Sequence, residues 1–238
     1  LNWLASELVS GGWKLKRIHK LIMMSNTYQM NSKANDLALA KDPNNDHFWR
    51  YDMRRLSAEE IRDSILNLTG KLNLKMGGPS IYTEVPREVL ATSSRPGGAW
   101  GNSSEEDRNR RSVYIYVKRS LHEPFLSAFD WADTDNTCDV RFVTTVPTQT
   151  LTLLNSKFLN DSAETLAKYV ANKSPGDVKA QVNHALYNAT HRKPSELDIK
   201  DGLDLIKELK EATKATEEEA MQRFCLLVLN LNEFLYLD

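Results

Sequence analysis

Apolar residues recur at the spacing of an α-helix along most of the chain. The best-defined helix is predicted from Ala58 to about Leu68, with Gly70 as its stop. Ser57 and Glu60, at its start, have the spacing of a capping box. In that arrangement each side chain bonds a backbone N–H group that the first turn leaves without a partner. The apolar face of this helix is formed by Ile61, Ile65, Leu68 and Leu72.

The same spacing predicts helices on both sides of this one. Gly11-Gly12 ends the first of them, and Ser174–Gly176 interrupts the pattern later in the chain. The predicted helices begin near Leu1, Leu15, Leu37, Pro124, Pro147, Leu159, Val178, Ser195 and Thr216. The helix that begins at Pro147 is expected to carry an apolar face of Leu151, Leu154 and Phe158.

The second helix is basic as well as amphipathic. Its apolar positions are Leu15, Ile18, Leu21 and Ile22. Basic side chains lie outside this face or at its edges, namely Lys14, Lys16, Arg17, His19 and Lys20. Such a helix could contact an anionic surface, but a solvated charged face is the interpretation that we favour.

Strand signals are few. Residues 112–117 are rich in β-branched and aromatic side chains and form the best strand candidate, and residues 140–146 form a weaker one. The two segments could pair, although no short hairpin turn joins them. The predicted fold is therefore mainly α, a single helical domain over residues 1–238 with a small β element around residues 112–146.

The segment 83–111 shows no helical or strand periodicity. It is interrupted by Pro86, Pro96, Gly97, Gly98 and Gly101, and it ends in the charge cluster 105–111. Irregular segments of this length are uncommon inside compact domains and are often functional or disordered.

Composition excludes several classes of protein. The 31 basic and 32 acidic residues give a net charge of −1, which argues against a general nucleic-acid-binding protein. No run of about 18 apolar residues is present, so no membrane-spanning segment is expected. Cys138 and Cys225 form no CxxC motif, and the sequence leaves their pairing open. Leu1 is not a methionine and already belongs to a helical pattern, so we expect a fragment of a longer protein.

Sequence signatures of catalysis are absent. The five histidines show no HExxH or HxH spacing, so a zinc site is unsupported. No GxSxG motif, P-loop or GxGxxG motif occurs, and without CxxCH the chain has no site for covalent c-type haem. Asp130, Asp133 and Asp135 could bind calcium, but they lack the glycine and glutamate of an EF-hand loop. A solvated turn is therefore favoured.

Two arginines precede the best-defined helix. Arg54 and Arg55 could hold a carboxylate or phosphate group in bidentate fashion. The alternative, which we favour, is that they pair with Asp52, Glu59 or Asp63 and anchor the start of the helix.

Blocks of sequence that follow one another in order resemble a known family. They are LNWLASELVSGGWKLKRIHKLIMMSNTYQ, RRLSAEEIRDSIL, MGGPS, RRSVYIYVKR, PFLSAFDWAD, TTVPTQTLTLLNSKF and LNLNEFLYLD. The chain resembles a planctomycete-type domain of unknown function, the PSD-one domain, over nearly its whole length. A segment that precedes LNWLA in the family is missing here, so the resemblance implies an N-terminally truncated fragment.

The resemblance implies a setting but no reaction. Such domains usually form the C-terminal part of large exported bacterial proteins, often after a cytochrome-c-like haem region and a second uncharacterised domain. It implies an extracytoplasmic location at the periplasm or cell surface, and a link to polysaccharide breakdown or electron transfer. Any haem would belong to the missing N-terminal region, and no cofactor is expected in this chain. The implied partners are the other domains of the parent protein and a polysaccharide.

The polar positions of the family motifs are the candidate ligand-binding residues, and they could equally form a buried network. They are Arg54, Arg55, Glu60, Asp63, Arg111, Tyr114, Arg119, Asp130, Gln149 and Asn155. A binding or scaffold module is the function that we favour. A glycan-active hydrolase would require an arginine facing Asp130 across a cleft, with one carboxyl pKa raised. A docking partner of a c-type cytochrome would require a flat surface patch.

Overall fold

Helices make up most of the computed structural model, which describes residues 1–91, 98, 100–134 and 137–237. The described part is 55% helical, which confirms the mainly α fold class. The chain divides into two compact units, one formed by Leu1–Arg54 with the C-terminal strand and the other by Arg55–Leu235. The single domain over 1–238 stays a prediction. Pro96, Gly97 and Asp135 lie outside the described residues.

The first unit contains three helices that bury almost nothing. They are α1 (Asn2–Ser10), α2 (Leu15–Met23) and α3 (Asp36–Lys41). None of their residues is buried. Gly11 follows α1, and Gly12 turns the chain with a φ of +69°, as the paired glycines predicted. The apolar residues of these helices consequently remain largely in contact with solvent.

The second unit begins with the predicted capping box. Helix α4 (Ala58–Leu68) has the predicted bounds. The backbone N–H of Ser57 donates to Glu60 Oε2 at 2.8 Å, and the Ser57 hydroxyl accepts from the Glu60 N–H at 3.4 Å. Gly70 then adopts a φ of +68°. Ile61 and Ile65 are fully buried, so this helix provides a wall of the core.

Short elements connect α4 to the C-terminal helices. They are α5 (Arg87–Ala91), α6 (Glu105–Arg108), a 3-10 helix (Ser112–Tyr114), α7 (Pro124–Ala128) and α8 (Pro147–Asn155). The helices that follow are α9 (Lys157–Lys173), α10 (Val178–Thr190), α11 (Glu196–Thr213), α12 (Glu217–Val228) and α13 (Asn232–Leu235). Helices α9 to α12 pack on one another around buried side chains such as Leu166, Val182 and Phe224.

The strands lie elsewhere than predicted. Strands β1 (Arg54–Arg55) and β2 (Tyr236–Leu237) pair in a two-stranded sheet. In the segment 112–117, Ser112 begins the 3-10 helix, and Ile115 makes only an isolated parallel bridge with Ile81. Its β propensity is overridden because side chains of α4 bind the backbone at Ser112.

Residues 140–146, all of them described, also form no strand. The backbone N–H of Thr144 donates to the Asp130 carboxylate at 2.8 Å, and is thereby engaged by a side chain and not by a neighbouring strand. The β element of the fold is therefore confirmed in size, but its predicted position at 112–146 is wrong.

The two cysteines are free thiols. Cys138 is exposed, whereas Cys225 is buried in α12. Burial raises the pKa of the Cys225 thiol to about 12. In the part of the chain that the structure describes, no helix combines the length and apolar character needed to cross a membrane.

Gly202 on α11 marks a close approach of helices. A Cβ atom at this position would lie 2.8 Å from Val182 Cγ1 and 3.0 Å from Phe224 Cε2. Gly202→Ala should lower the free energy of unfolding by about 1–2 kcal/mol, since overpacking outweighs the helix propensity that alanine gains. Urea denaturation would measure this change. Lys207→Ala, on the exposed side of α11, is the control and should change stability by less than about 0.5 kcal/mol. A stabilised Gly202→Ala variant would contradict the close packing.

Candidate functional site

Asp130 receives hydrogen bonds from several parts of the second unit. It follows α7 in a left-handed conformation with a φ of +62°. Arg55 Nη2 lies 2.5 Å from Asp130 Oδ2, to which the Thr144 N–H also donates at 2.8 Å. The Thr144 hydroxyl donates to Oδ1 at 2.7 Å, and Gln149 Nε2 donates to Oδ2 at 3.3 Å. A carboxylate accepts about four hydrogen bonds, so the protein itself occupies its acceptor capacity.

Arg55 is held inside the protein by the same group of residues. Its side chain is 4% exposed, and its guanidinium lies over the Phe129 ring at 5.2 Å. Gln149 is buried as well, and its Oε1 accepts from the Val146 N–H at 3.4 Å at the start of α8. We call Arg55, Asp130, Thr144 and Gln149 the Asp130 network. This network connects the start of α4 to α7 and α8. The ion pair expected for Arg55 is present, but its partner is Asp130 and not a nearby carboxylate.

Asp63 lies in a second network, between α4 and the 3-10 helix. Asp63 Oδ1 accepts from the Ser112 N–H at 2.8 Å and from the Ser112 hydroxyl at 2.6 Å. Buried Arg62 donates to the Arg110 carbonyl at 3.1 Å and to the Arg108 carbonyl at 2.5 Å. Burial lowers the pKa of Arg62, and the charges of Glu123 and Asp63 oppose this effect. Asp63 is therefore a structural residue of this loop.

Tyr114 belongs to a third group, which holds the turn at residues 75–79. Arg110 is 2% exposed and lies 4.0 Å above the Tyr114 ring. It donates to the carbonyls of Lys75 at 3.3 Å and Pro79 at 3.2 Å, and also to that of Gly77. The Tyr114 hydroxyl accepts from the Gly77 N–H at 2.9 Å. We call Arg110 and Tyr114, with the turn that they hold, the Arg110 clasp. These contacts give Tyr114 a structural role that requires no ligand.

Glu123 is the buried carboxyl group that sequence analysis missed. It caps α7, and its Oε2 accepts from the Leu126 N–H at 2.7 Å. Burial raises its pKa, and bonds to backbone N–H groups and the charge of Arg62 oppose the rise. Its place directly before Pro124, at the N-cap of a predicted helix, was the signal that could have found it.

The raised pKa of Glu123 predicts a particular dependence of stability on pH. Below its ordinary pKa of 4.5 the carboxyl is protonated in both states, and above its folded pKa the buried charge opposes folding. As pH rises between those two values, this carboxyl should lower the free energy of unfolding. Glu123→Gln should remove that component, so its stability relative to the parent should increase as pH rises above 4.5. Glu208→Gln, at an exposed position of α11, is the control. A pH-independent difference for Glu123→Gln would contradict the expectation.

The other candidate residues occupy separate elements. Glu60 is used in the capping box of α4. Arg111 is exposed, with its Nε 3.7 Å from Asp63 Oδ2. Arg54 is exposed on β1, and Asn155 is exposed at the end of α8. The ten candidates are thus distributed over separate structural groups and exposed positions, and the structure does not collect them in one site.

Arg119 lines an open depression in the second unit, which we call the Arg119 depression. It encloses about 520 Å³. Its polar lining is Arg119, Ser120, His122, Ser127 and Thr148, and its apolar lining is Val89, Leu121, Pro124 and Ala128. None of these described lining residues is acidic. Arginine and hydroxyl groups are suited to carboxylate, sulfate or sugar hydroxyl groups, so the depression fits an anionic or hydroxyl-rich ligand.

His122 has a fixed position in the wall of this depression. Its Nε2 lies 3.2 Å from the Thr134 hydroxyl oxygen, and its ring packs edge-to-face on Trp131 at a centroid distance of 5.9 Å. These two contacts orient the imidazole before any ligand binds.

A calcium site at Asp130 and Asp133 is not supported by the geometry. Asp130 is surrounded by N–H and O–H donors, which take the positions that a cation would need. Asp135 lies outside the described residues. Within the ranges that are described, no group of three histidine, cysteine, aspartate or glutamate side chains could hold a metal ion.

A family model described as PSD1, protein of unknown function (DUF1553), matches residues 1–206. The chain belongs to this family. The match confirms the family resemblance, and it extends from the first compact unit into the second. Residues beyond 206 include α12, which packs on α9, so the PSD1 chain forms one core across the end of the match. Comparison with curated proteins and with solved structures gave no match.

Proposed function

We propose that this PSD1 chain is a binding or scaffold module of a larger exported protein, and that its ligand occupies the Arg119 depression. The observation that supports the proposal is the set of hydrogen bonds that the protein donates to the Asp130 carboxylate. Four protein donors already bind its carboxylate, which leaves little capacity for acid–base work on a substrate. The extracytoplasmic location and the role of the other domains of the parent protein as partners are parts of the same proposal.

A hydrolase is disfavoured by the positions of the carboxyl groups. Glycoside hydrolysis needs an acid and a second carboxylate on opposite sides of the scissile bond. Glu123 is the carboxyl with a raised pKa, but it is buried and bonded to the backbone of α7. Arg55 does face Asp130, but as a buried ion pair and not across a cleft. The Arg119 depression has no acidic side chain among its described lining residues.

The shape and lining of the Arg119 depression favour a polysaccharide. The depression is open, so an extended chain could lie along it. Arg119 and His122 offer cationic or N–H donors, and Ser127 and Thr148 offer hydroxyl groups. Val89 provides part of an apolar surface that the face of a sugar ring could cover. A polysaccharide with carboxylate or sulfate groups would use both kinds of contact.

A thermal-shift screen tests this ligand class directly. It would contain neutral and sulfated oligosaccharides, with a small c-type cytochrome for the alternative partner. A ligand at 100 times its Kd should add about 2.7 kcal/mol to the free energy of unfolding. For a domain of this size the midpoint should rise by about 5–10 °C. We expect the sulfated oligosaccharides to give the larger shifts.

Arg119→Ala should weaken binding of the sulfated oligosaccharide by about 10–100-fold, because a hydrogen bond to a charged group contributes about 1.5–3 kcal/mol. Calorimetric titration would measure the change in Kd. Arg192→Ala removes an exposed arginine that does not line the depression, and it should bind as the parent does. Equal losses in both variants would indicate attraction by net charge only. Turnover of a polysaccharide that disappears in a folded Asp130→Asn variant would contradict the binding-module proposal itself.

A further inference from the structure

Helix α2 in the first unit presents an uncovered apolar face. Leu15 is 61% exposed and Ile22 is 41% exposed, and Trp13, directly before the helix, is 70% exposed. We call these three residues the α2 apolar face. The apolar stripe of an amphipathic helix normally packs against another element. The other apolar positions of α2, Ile18 and Leu21, are half-buried beside α1, so Leu15, Ile22 and Trp13 are the part of the apolar surface that remains exposed to solvent.

The charge around this face has one sign. Between Glu7 and Asp36 the sequence contains no acidic residue. Glu7 itself bonds Arg17 at 2.6 Å. The basic residues in that interval are Lys14, Lys16, Arg17, Lys20 and Lys33. Any partner of the α2 apolar face must therefore tolerate a concentrated positive charge beside it.

Helix geometry separates the cationic and apolar sides. At about 100° per residue, Lys16 and Lys20 lie roughly 100–160° around the helix from Leu15 and Ile22. Lys14 and Trp13 stand together at the start of the helix. Apolar residues on one side, lysines on the other and a tryptophan at the boundary are the features of a helix that lies in a membrane interface.

We propose that α2 binds the surface of an anionic lipid bilayer. The helix lies parallel to the bilayer plane, with Trp13, Leu15 and Ile22 among the headgroups and acyl boundary, and with its lysines near the lipid phosphates. This role is independent of the Arg119 depression. A second copy of the chain is a poorer occupant, because it carries the same excess of basic residues around α2, whereas anionic lipids supply the opposite charge.

The experiment uses the 238-residue chain and vesicles of defined composition. Large unilamellar vesicles of phosphatidylcholine with about 30% phosphatidylglycerol are compared with vesicles of phosphatidylcholine alone. The two preparations differ in surface charge, so the comparison tests the contribution of anionic lipid. Co-sedimentation measures partitioning, and the tryptophan emission of the parent and of Trp13→Phe reports insertion. We expect binding to the anionic vesicles, with a blue shift that Trp13→Phe reduces.

Charge-removal variants separate α2 from the rest of the surface. Lys16→Gln with Lys20→Gln should weaken partitioning about thirtyfold, because one lysine near such a surface contributes a factor of about five. Lys71→Gln with Lys193→Gln removes the same charge from exposed positions of the second unit and should leave partitioning unchanged. Salt at about 1 M, where the Debye length is about 3 Å, should also weaken binding. Leu15→Ser with Ile22→Ser should reduce the blue shift.

Several results would overturn this proposal. They are equal binding to both vesicle types, no binding to either, and unchanged binding by the Lys16 and Lys20 double variant. Binding of an acidic amphipathic peptide by α2, without binding of vesicles, would assign the face to a protein partner and would also overturn it. Circular dichroism of each variant establishes that the fold is retained, so loss of binding is attributable to the surface.

Discussion

Arg55→Met should lower the free energy of unfolding by about 3 kcal/mol, because it removes one partner of a buried ion pair. The Arg55 side chain is 4% exposed, and its guanidinium lies 2.5 Å from Asp130. Methionine preserves most of the volume and the contact with Phe129, so the loss measures the charge interaction more than a cavity. Asp130 keeps its bonds from Thr144 and Gln149, which places the expected loss at the lower end of the range for such pairs.

Arg54→Met is the matched control for this prediction. Arg54 precedes Arg55 directly but is exposed on β1, so the same substitution there should change stability by less than about 0.5 kcal/mol. Chemical denaturation of both variants would give the two values. The double variant Arg55→Met, Asp130→Asn should lose less free energy of unfolding than the sum of the two single losses. Both charges of the ion pair are then removed, so neither is left buried without its partner.

The result also distinguishes a structural Asp130 network from a ligand site. A destabilised Arg55→Met variant that still binds oligosaccharide would agree with a purely structural network. A variant as stable as the parent, but unable to bind or turn over a saccharide, would place Arg55 in a functional site. That outcome would contradict a purely structural role for Arg55.

Local signals were sufficient to predict most of the helices. The capping boxes at Ser57 and Ser195 fix the starts of α4 and α11, and both helices begin where the sequence predicts. Pro147 likewise begins α8, and a third capping box at Thr216 begins α12. These signals act over about one turn of helix, so a single sequence contains all the information that they need.

The buried face of α8 could not be predicted in the same way. The pattern of leucines indicated Leu151 and Leu154, but both are exposed. Gln149 and Leu153 are buried in their place. Gln149 faces inward because it donates to Asp130, a residue that a helical pattern cannot identify as its neighbour.

The partners of the buried arginines could not be predicted from the sequence for the same reason. Arg55 and Asp130 are 75 positions apart in the chain. Arg62 contacts the loop at 108–112, nearly 50 positions away. Sequence analysis identified most of the polar residues involved, but pairing across such distances is decided by tertiary packing. The sequence therefore left open whether these polar residues line a ligand site or form a buried network.

Arg110→Ala should be the most destabilising of the substitutions considered, at about 4 kcal/mol. Arg110 is almost fully buried, and its guanidinium serves three backbone carbonyls and lies over the Tyr114 ring. Alanine leaves those carbonyls without a donor and opens a cavity under the turn. Arg111→Ala, at the exposed neighbouring position, is the control and should cost less than about 1 kcal/mol.

A graded series separates the parts of the Arg110 clasp. Arg110→Lys keeps the charge but loses the planar fork, so it should cost less than alanine and more than Tyr114→Phe. Tyr114→Phe removes only the hydroxyl that accepts from the Gly77 N–H, for an expected loss of about 1 kcal/mol. Hydrogen exchange at the Gly77 amide should accelerate in all three variants, because each loosens the turn at residues 75–79. Exchange that accelerates equally in Arg111→Ala would show that the turn depends on general stability and not on the clasp.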